Sequence, residues 1–197
     1  MKKFLLISLL WVNAFSQSSN IFEPIDVFDL EYVSNTQISS YGDKVLYQRN
    51  FNDIMTDESF SNIWLIDYDG TNNRPITTGN FKDNSPKWSN KGDKFIFKSN
   101  REGKSQIFLF DLNNNSIQKL TNFQYSIEST QWSPDDNYIL FSSFIDSERD
   151  TLIEMPDKPK GAKWNDPPVE ISDLNYRYDS SGFRKPGEVQ FFTIPIN

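Results

Sequence analysis

Neither histidine nor cysteine occurs in these 197 residues. Without histidine the usual general base of neutral-pH catalysis is missing, and no Ser-His-Asp triad can assemble from this chain alone. Without cysteine there is no disulfide, no thiolate nucleophile and no lipid-anchoring cysteine behind a leader. Metal sites built from His or Cys are excluded with them. A G-x-S-x-G elbow is also lacking. Lys160-Gly161-Ala162-Lys163 lacks the strand-loop-helix setting of a phosphate loop. Cations are scarce as well, with 20 Lys plus Arg against 27 Asp plus Glu and a net charge of −7. Such a surface repels a polyanion, so nucleic acid is not an expected partner. No long amphipathic helical pattern occurs. From the residues present, no catalytic, cofactor-binding or metal-ligating side chain is assigned, and no cofactor is expected.

The one strongly apolar run is N-terminal. Lys2 and Lys3 precede Phe4 to Val12, and Ala14-Phe15-Ser16 forms a small-x-small cleavage site. Residues 1–16 read as a secretory signal peptide, too short to span a bilayer comfortably. The expected location is therefore periplasmic or extracellular, with no membrane attachment once the leader is removed. Without Lys2 and Lys3 the balance is 18 basic against 27 acidic residues.

What is abundant is a repeated pattern of short apolar strands. Trp88-Ser89-Asn90-Lys91-Gly92-Asp93-Lys94-Phe95-Ile96-Phe97 aligns without a gap to Trp132-Ser133-Pro134-Asp135-Asp136-Asn137-Tyr138-Ile139-Leu140-Phe141, 44 residues later. Ile38 to Tyr47 fits the same frame with Ile38 in place of the tryptophan. Asn62 to Asp67 matches Gln106 to Asp111, and Pro75-Ile76-Thr77 matches Lys119-Leu120-Thr121, again 44 apart. A period of this size with about four strands per copy predicts an all-β, partial β-propeller, about three four-stranded blades of a larger ring. Phe95-Ile96-Phe97 is a continuous apolar run, as expected of a strand buried on both faces. Lys91-Gly92-Asp93, Asp69-Gly70 and Asp135-Asp136-Asn137 supply hairpin turns. Trp88 and Trp132 are expected to fill the gaps between blades.

In chain order the reading is a lead-in segment over 17–36, whose Phe22, Val27, Phe28, Leu30, Tyr32 and Val33 dock against the ring. Blade 1 follows over 37–80, blade 2 over 81–124, and an incomplete blade 3 over 125–197. Asn50 to Ser61 is expected to be a long loop in blade 1. Its acids Asp53, Asp57 and Glu58 lack calcium-loop spacing and read as solvated. Asp67-Tyr68-Asp69-Gly70 reads as a strand end and turn, and Asp135 and Asp136 as capping or solvated. In blade 3 the counterpart of the strand starting at Gln106 is Gln190 to Ile196, which leaves a Pro-rich insertion at about 146–188. It holds Pro156, Pro159, Pro167, Pro168 and Pro186, half of the chain's ten prolines. Inserted loops of this length are usually functional or disordered. Closed propellers need about four to eight blades, so the expectation is the front part of a longer protein.

Several stretches resemble one family specifically. They are Asp29-Leu30-Glu31-Tyr32-Val33-Ser34, Asn50 to Asp57, Arg74 to Asn80, Ser99-Asn100-Arg101-Glu102-Gly103, and above all Met155 to Trp164 with Pro167-Pro168 and Tyr176-Arg177-Tyr178-Asp179. The order of these motifs is similar to the N-terminal TolB-like propeller of secreted serine peptidases of the prolyl oligopeptidase family, in the branch of acylaminoacyl-peptidases and dipeptidyl peptidases. Asn90, Lys91 and Asp136 depart from the TolB-like consensus, and the departures are expected to affect turns only. The resemblance implies a partner absent from these residues, a C-terminal α/β-hydrolase domain bearing the serine, aspartate and histidine, with the ring gating short peptides. No catalytic residue carries over to a position in this chain. The alternative is a TolB-like periplasmic propeller acting as a non-catalytic protein-binding scaffold. A carbohydrate-active propeller would need two well-placed carboxylates.

Overall fold

The computed structural model describes residues 21–147, 156–165, 171, 174–179 and 182–196. The signal peptide read over 1–16 lies outside them. The described chain is built almost wholly of strands, in three principal antiparallel sheets. Sheet one runs β1 (Tyr32–Ile38), β2 (Lys44–Asp53), β3 (Glu58–Asp67), β4 (Arg74–Pro75). Sheet two repeats the order with β5 (Asn84–Trp88), β6 (Lys94–Ser99), β7 (Gln106–Asp111) and β8 (Ser116–Lys119). Sheet three is β9 (Ile127–Trp132), β10 (Tyr138–Asp146) and then β13 (Gly187–Pro195), which pairs with β10 over nine residues from Tyr138↔Pro195 to Asp146↔Gly187. A small hairpin, β11 (Arg177–Tyr178) and β12 (Gly182–Phe183), stands between β10 and β13. This is an open, partial propeller.

Two expectations change. Strand β1 begins at Tyr32, inside the stretch read as lead-in, and the apolar Phe22, Val27, Leu30, Tyr32 and Val33 remain exposed instead of docked. The described chain ahead of the sheet makes only a short 3-10 helix, Pro24–Asp29, against β2. The long loop expected over Asn50 to Ser61 is instead an extended hairpin, with β2 and β3 paired from Lys44↔Asp67 to Asp53↔Glu58. Its polar letters hide a strand because they bond one another. The Gln48 amide donates to Asn50 at 2.6 Å, the Asn50 amide donates to the Ser34 hydroxyl at 2.9 Å, and Phe51 faces Phe60 with ring centroids 6.0 Å apart.

The core lies in two seams between sheets. Leu46, Ile63 and Leu65 of sheet one meet Phe95, Phe97, Phe108 and Phe110 of sheet two. Ile96, Ile107 and Leu109, from the opposite face of sheet two, meet Ile127, Trp132, Ile139 and Phe141 of sheet three. Adjacent residues of β6 thus point into different seams, which is why Phe95-Ile96-Phe97 has no polar letter. Burying each such side chain contributes about 2 kcal/mol relative to exposure. The tryptophans sit where expected. Trp88 donates its indole N–H to the Gln37 carbonyl of sheet one, and Trp132 donates to the Lys87 carbonyl of sheet two, both at 3.0 Å.

Register shows which positions correspond. Gln48, Lys98 and Ser142 face Ile63, Ile107 and Phe191 respectively. β13 therefore occupies the third-strand place of sheet three, starting three residues ahead of Gln190. Leu46, Ile96 and Leu140 likewise share one place in the repeat, eight residues after Ile38, Trp88 and Trp132. The first two are 0% exposed and Leu140 is 41% exposed.

Polar bonds fasten the seams. Between sheets one and two, Asp83 is wholly buried, its carboxylate receiving both bonds from Arg101 Nη2 at 2.8 and 3.0 Å. The Arg101 guanidinium lies over the rings of Phe81, Phe97 and Phe108 at 5.4, 5.8 and 5.1 Å, so its own charge is also shielded. Between sheets two and three, Asp136 reaches across to the neighbouring turn. It accepts the Asn90 backbone N–H and amide at 2.8 Å each and the Lys91 N–H at 2.9 Å. This corrects the expectation that Asn90, Lys91 and Asp136 affect turns only. Asp136 holds φ +59° at the place where the other two turns carry Gly42 and Gly92, and the carboxylate gained there locks two sheets together.

Three outcomes follow. Arg101→Met strands the buried Asp83 carboxylate and costs about 3 to 5 kcal/mol in urea unfolding, whereas a purely surface pair would cost under about 1. Asp136→Gly suits the backbone yet lowers stability by about 1 kcal/mol net, because the relief at a left-handed residue is smaller than the loss of three charge-assisted bonds; a raised midpoint would disprove the lock. The third is acid sensitivity. Hydrogen bonds hold Asp43, Asp67, Asp69 and Asp135 below the ordinary 3.8, led by Ser39, Asn72, Thr71 and Ser133 respectively. Their contribution is complete above 3.8 and is lost as pH falls through the depressed values, so a pH series of thermal melts should be level above about pH 5 and decline below about 4.

Candidate functional site

Successive antiparallel strands place alternate connections at opposite ends of a sheet. One end carries little but tight turns, each fixed by a serine. The Ser39 hydroxyl donates to Asp43 at 2.7 Å and accepts the Lys44 N–H at 3.1 Å. Ser89 does the same with Asp93 and Lys94 at 3.1 and 3.3 Å, and Ser133 with Asp135 and Tyr138 at 2.5 and 2.9 Å. Asp67-Tyr68-Asp69-Gly70 also ends a strand in a turn here, with the Gly70 N–H donating to the Asp67 carbonyl at 2.9 Å. Each of these carboxylates is engaged at its turn, Asp43, Asp93 and Asp135 by a serine hydroxyl, Asp67 by the Lys44 amine and the Asn72 amide, and Asp69 by the Thr71 N–H and hydroxyl.

The other end collects the long elements. These are the 3-10 helix, the tip of the β2–β3 hairpin, the links that lead from one sheet to the next, and the connection from β10 to β13. Between the helix and the hairpin tip lies a depression of about 420 Å³. Ile25, Phe28, Phe51 and Ile54 give it an apolar wall, and Asp29, Asn52, Asp53 and Asn80 a polar rim. Asn52 ties the two walls, its amide donating to the Val27 carbonyl at 2.9 Å while its oxygen accepts the Ser59 hydroxyl at 2.8 Å. Asp53 accepts the Met55 N–H at 2.9 Å, the Thr56 hydroxyl at 3.2 Å and the Asn80 amide at 3.3 Å. Three of the stretches singled out in the sequence, around Asp29, Asn50 to Asp57 and Arg74 to Asn80, therefore meet at one place.

Asp53 fastens a turn, Asp57 holds φ +54° in it, and Glu58 begins β3. Among the described residues no group of three or more His, Cys, Asp or Glu side chains could hold a metal ion. Of the insertion, Lys160 to Ala162 forms a turn closed by the Ala162 N–H on the Pro159 carbonyl at 3.0 Å. Tyr176 and Phe183 lie 6.2 Å apart across the β11–β12 hairpin, and Gly182, read as part of a turn, opens β12 with φ +75°. Its feet are joined where the Ser147 N–H meets the Pro186 carbonyl at 3.1 Å. Met155, Pro167, Pro168 and Ser181 lie outside the described residues. Two features escaped the sequence reading. Asp83 gave no signal of its own, although its partner Arg101 stood within a singled-out motif. Lys98 was also missed: its amine donates to the Glu128 carbonyl at 2.5 Å, and burial in the seam pushes its pKa down.

Comparison with known proteins agrees with this architecture. Residues 49–158 match the family described as the TolB beta propeller domain, PD40. An uncharacterized peptidase of Bacillus subtilis, YuxL, is 25% identical over 172 residues, 87% of this chain and 26% of the relative. Dipeptidyl-peptidase 5 of Porphyromonas gingivalis is 26% identical over 76% of this chain and 21% of its own length. A TolB homolog of Chlamydia abortus is 27% identical over 72% of this chain and 33% of its own length. Among solved structures, the acylaminoacyl peptidase of Pyrococcus horikoshii superimposes with a TM-score of 0.62 at 20% identity, over 85% of this chain and 23% of that one. The chain thus spans about a fifth to a third of the length of these curated relatives. No helix of the described residues is long and apolar enough to cross a membrane. With more than half of its residues matching, and with the repeated sheets of that architecture, the chain belongs to the TolB-like β-propeller family.

Proposed function

We propose that these residues are the N-terminal propeller part of a secreted serine peptidase, gating the access of short peptides to a C-terminal α/β-hydrolase domain. The observation that carries the reading is the convergence of the lead-in, the extended β2–β3 hairpin and the β10–β13 connection at one end of the sheets, a face equipped for a partner domain. Peptidases among the relatives support it. In this division of labour the partner supplies the serine nucleophile with its aspartate and histidine, and forms an acyl-enzyme that water then hydrolyses. The propeller contributes exclusion: a rigid ring screens substrates by size before any recognition contact is made. The preference would be of the acylaminoacyl- or dipeptidyl-peptidase type. Export by the N-terminal leader would place the enzyme in the periplasm or outside the cell.

A second reading, a non-catalytic periplasmic scaffold, is favoured by the likeness to the chlamydial TolB homolog. The two part on one experiment. The 197-residue chain alone is expected to hydrolyse no peptidyl chromogenic substrate and to take up no fluorophosphonate label. The parent polypeptide is expected to carry a G-x-S-x-G motif followed by Asp and His, and to cleave short acylated peptides or dipeptidyl substrates while sparing folded proteins. A parent with no such motif and no labelling would replace the peptidase with the scaffold.

A further inference from the structure

Two lysines of sheet two reach across to the first strand of sheet three. Lys98, on β6, donates to the Glu128 carbonyl at 2.5 Å, and Lys87, on β5, donates to the Thr130 carbonyl at 2.6 Å and to Gln131 Oε1 at 3.2 Å. β9 has a neighbour on one side only, so its other edge is free. Its register slips at Glu128, which lies between Ser129↔Ser142 and Ile127↔Ser143 and faces no residue of β10; a bulge of this kind leaves its extra residue out of the ladder. Both amines are half-buried, and among the described residues neither forms an ion pair, although acids outnumber bases in the chain. An ammonium carries three donors, so one stays uncommitted on Lys87 and two on Lys98. Burial lowers the Lys98 pKa most and the Lys87 charge lowers it further, against the pull of the Glu128 carboxylate, so the two amines share one small region. Thr130 lies on the same face as Trp132, is 4% exposed, and its hydroxyl has no partner in the seam.

We propose that Lys87 and Lys98 bind the C-terminal carboxylate of a short peptide at the free edge of β9. The assignment rests on the peptidase reading and adds to it the end of the substrate that the propeller holds. Two neighbouring cations with unspent donors and no counter-ion attract one anion, and a carboxylate accepts an amine on each oxygen. Carbonyls two residues apart on a strand are no more than about 7 Å apart, which is about the separation of two amines that share a carboxylate in this way. An extended chain suits the place, because a free strand edge presents peptide groups to a strand laid beside it. The site also opens at the right end. Lys98 is the last residue but one of β6 and Glu128 the second of β9, both next to the elaborated end where the hydrolase domain is expected. A peptide held there by its carboxylate has only a few residues to span before the partner's nucleophile, so the same two amines limit its length. Both walls of the site, sheets two and three, lie within the described chain.

The test is calorimetric titration of the full parent polypeptide with acetyl-tetra-alanine, as the free acid and as the C-terminal amide. The serine that takes the fluorophosphonate label is first replaced by alanine. Where no serine labels, the unaltered polypeptide is titrated, so the peptidase reading and this site fail separately. The free acid is expected to bind at least about tenfold more tightly than the amide, the worth of a charge-assisted bond. Lys98→Met and Lys87→Met keep the apolar stem and drop the charge; each should abolish that ratio while the amide affinity stays within about twofold. Circular dichroism checks the fold of each variant, and Lys87→Gln replaces one that loses its β spectrum. Equal binding of acid and amide, a ratio that survives both substitutions, or acetate or inorganic phosphate binding as tightly as the peptide acid overturns the proposal.

Discussion

A sheet with two apolar faces cannot be a stable object in water, and each sheet of this chain is of that kind. Phe95 and Phe97 face one neighbour while Ile96 faces the other, and all three are wholly buried. The rest of the structure follows from that requirement. Stacking supplies a partner for one face of each sheet and passes the same demand to the next, so stability is shared along the row instead of residing in any one module. Sheet two, enclosed on both sides, is the most completely buried; sheets one and three each keep an open face.

Apolar seams alone would let neighbouring sheets slide. The fixed points are polar and few. Two indoles each reach a backbone carbonyl one sheet away, Arg101 closes on the buried Asp83, and Asp136 caps a turn that belongs to its neighbour. The buried Asp83 is the strictest of them, since a wrong offset would leave its charge without its partner, a loss larger than the bond itself contributes. These contacts therefore select register more than they add stability.

The same arrangement divides the molecule into a plain end and an elaborated one. Tight turns suffice where strands merely reverse, and there the carboxylates are consumed by serine-fixed hairpins. Length is added only at the opposite end, in the extended hairpin of sheet one and the connection within sheet three. Because β13 keeps the register of a third strand despite the residues inserted before it, the connection can grow without disturbing the seam. A scaffold of this form carries long elements on one end while its stacking is kept by geometry.

Much of this was legible in the letters. The strand period, the paired tryptophans and the turn residues follow from local chemistry, since a strand buried on both faces admits no polar letter and a left-handed turn favours glycine, asparagine or aspartate. The extended hairpin was not legible, because Asn50, Asn52, Ser59 and Ser61 look like loop until Ser59 is seen bonding Asn52, Asn50 bonding Gln48 and Ser34, and Ser61 bonding the Asp83 carbonyl. The partnership of Asp83 with Arg101 was equally hidden, as was that of Asn90 with Asp136, the one joining residues 18 apart and the other 46 apart. What the sequence determined by itself was the module, through the alternation and spacing of its apolar residues. Only the tertiary structure decided how modules are clamped and which end is elaborated, because those depend on groups distant in the chain arriving within hydrogen-bonding distance, a relation that no single stretch of chain encodes.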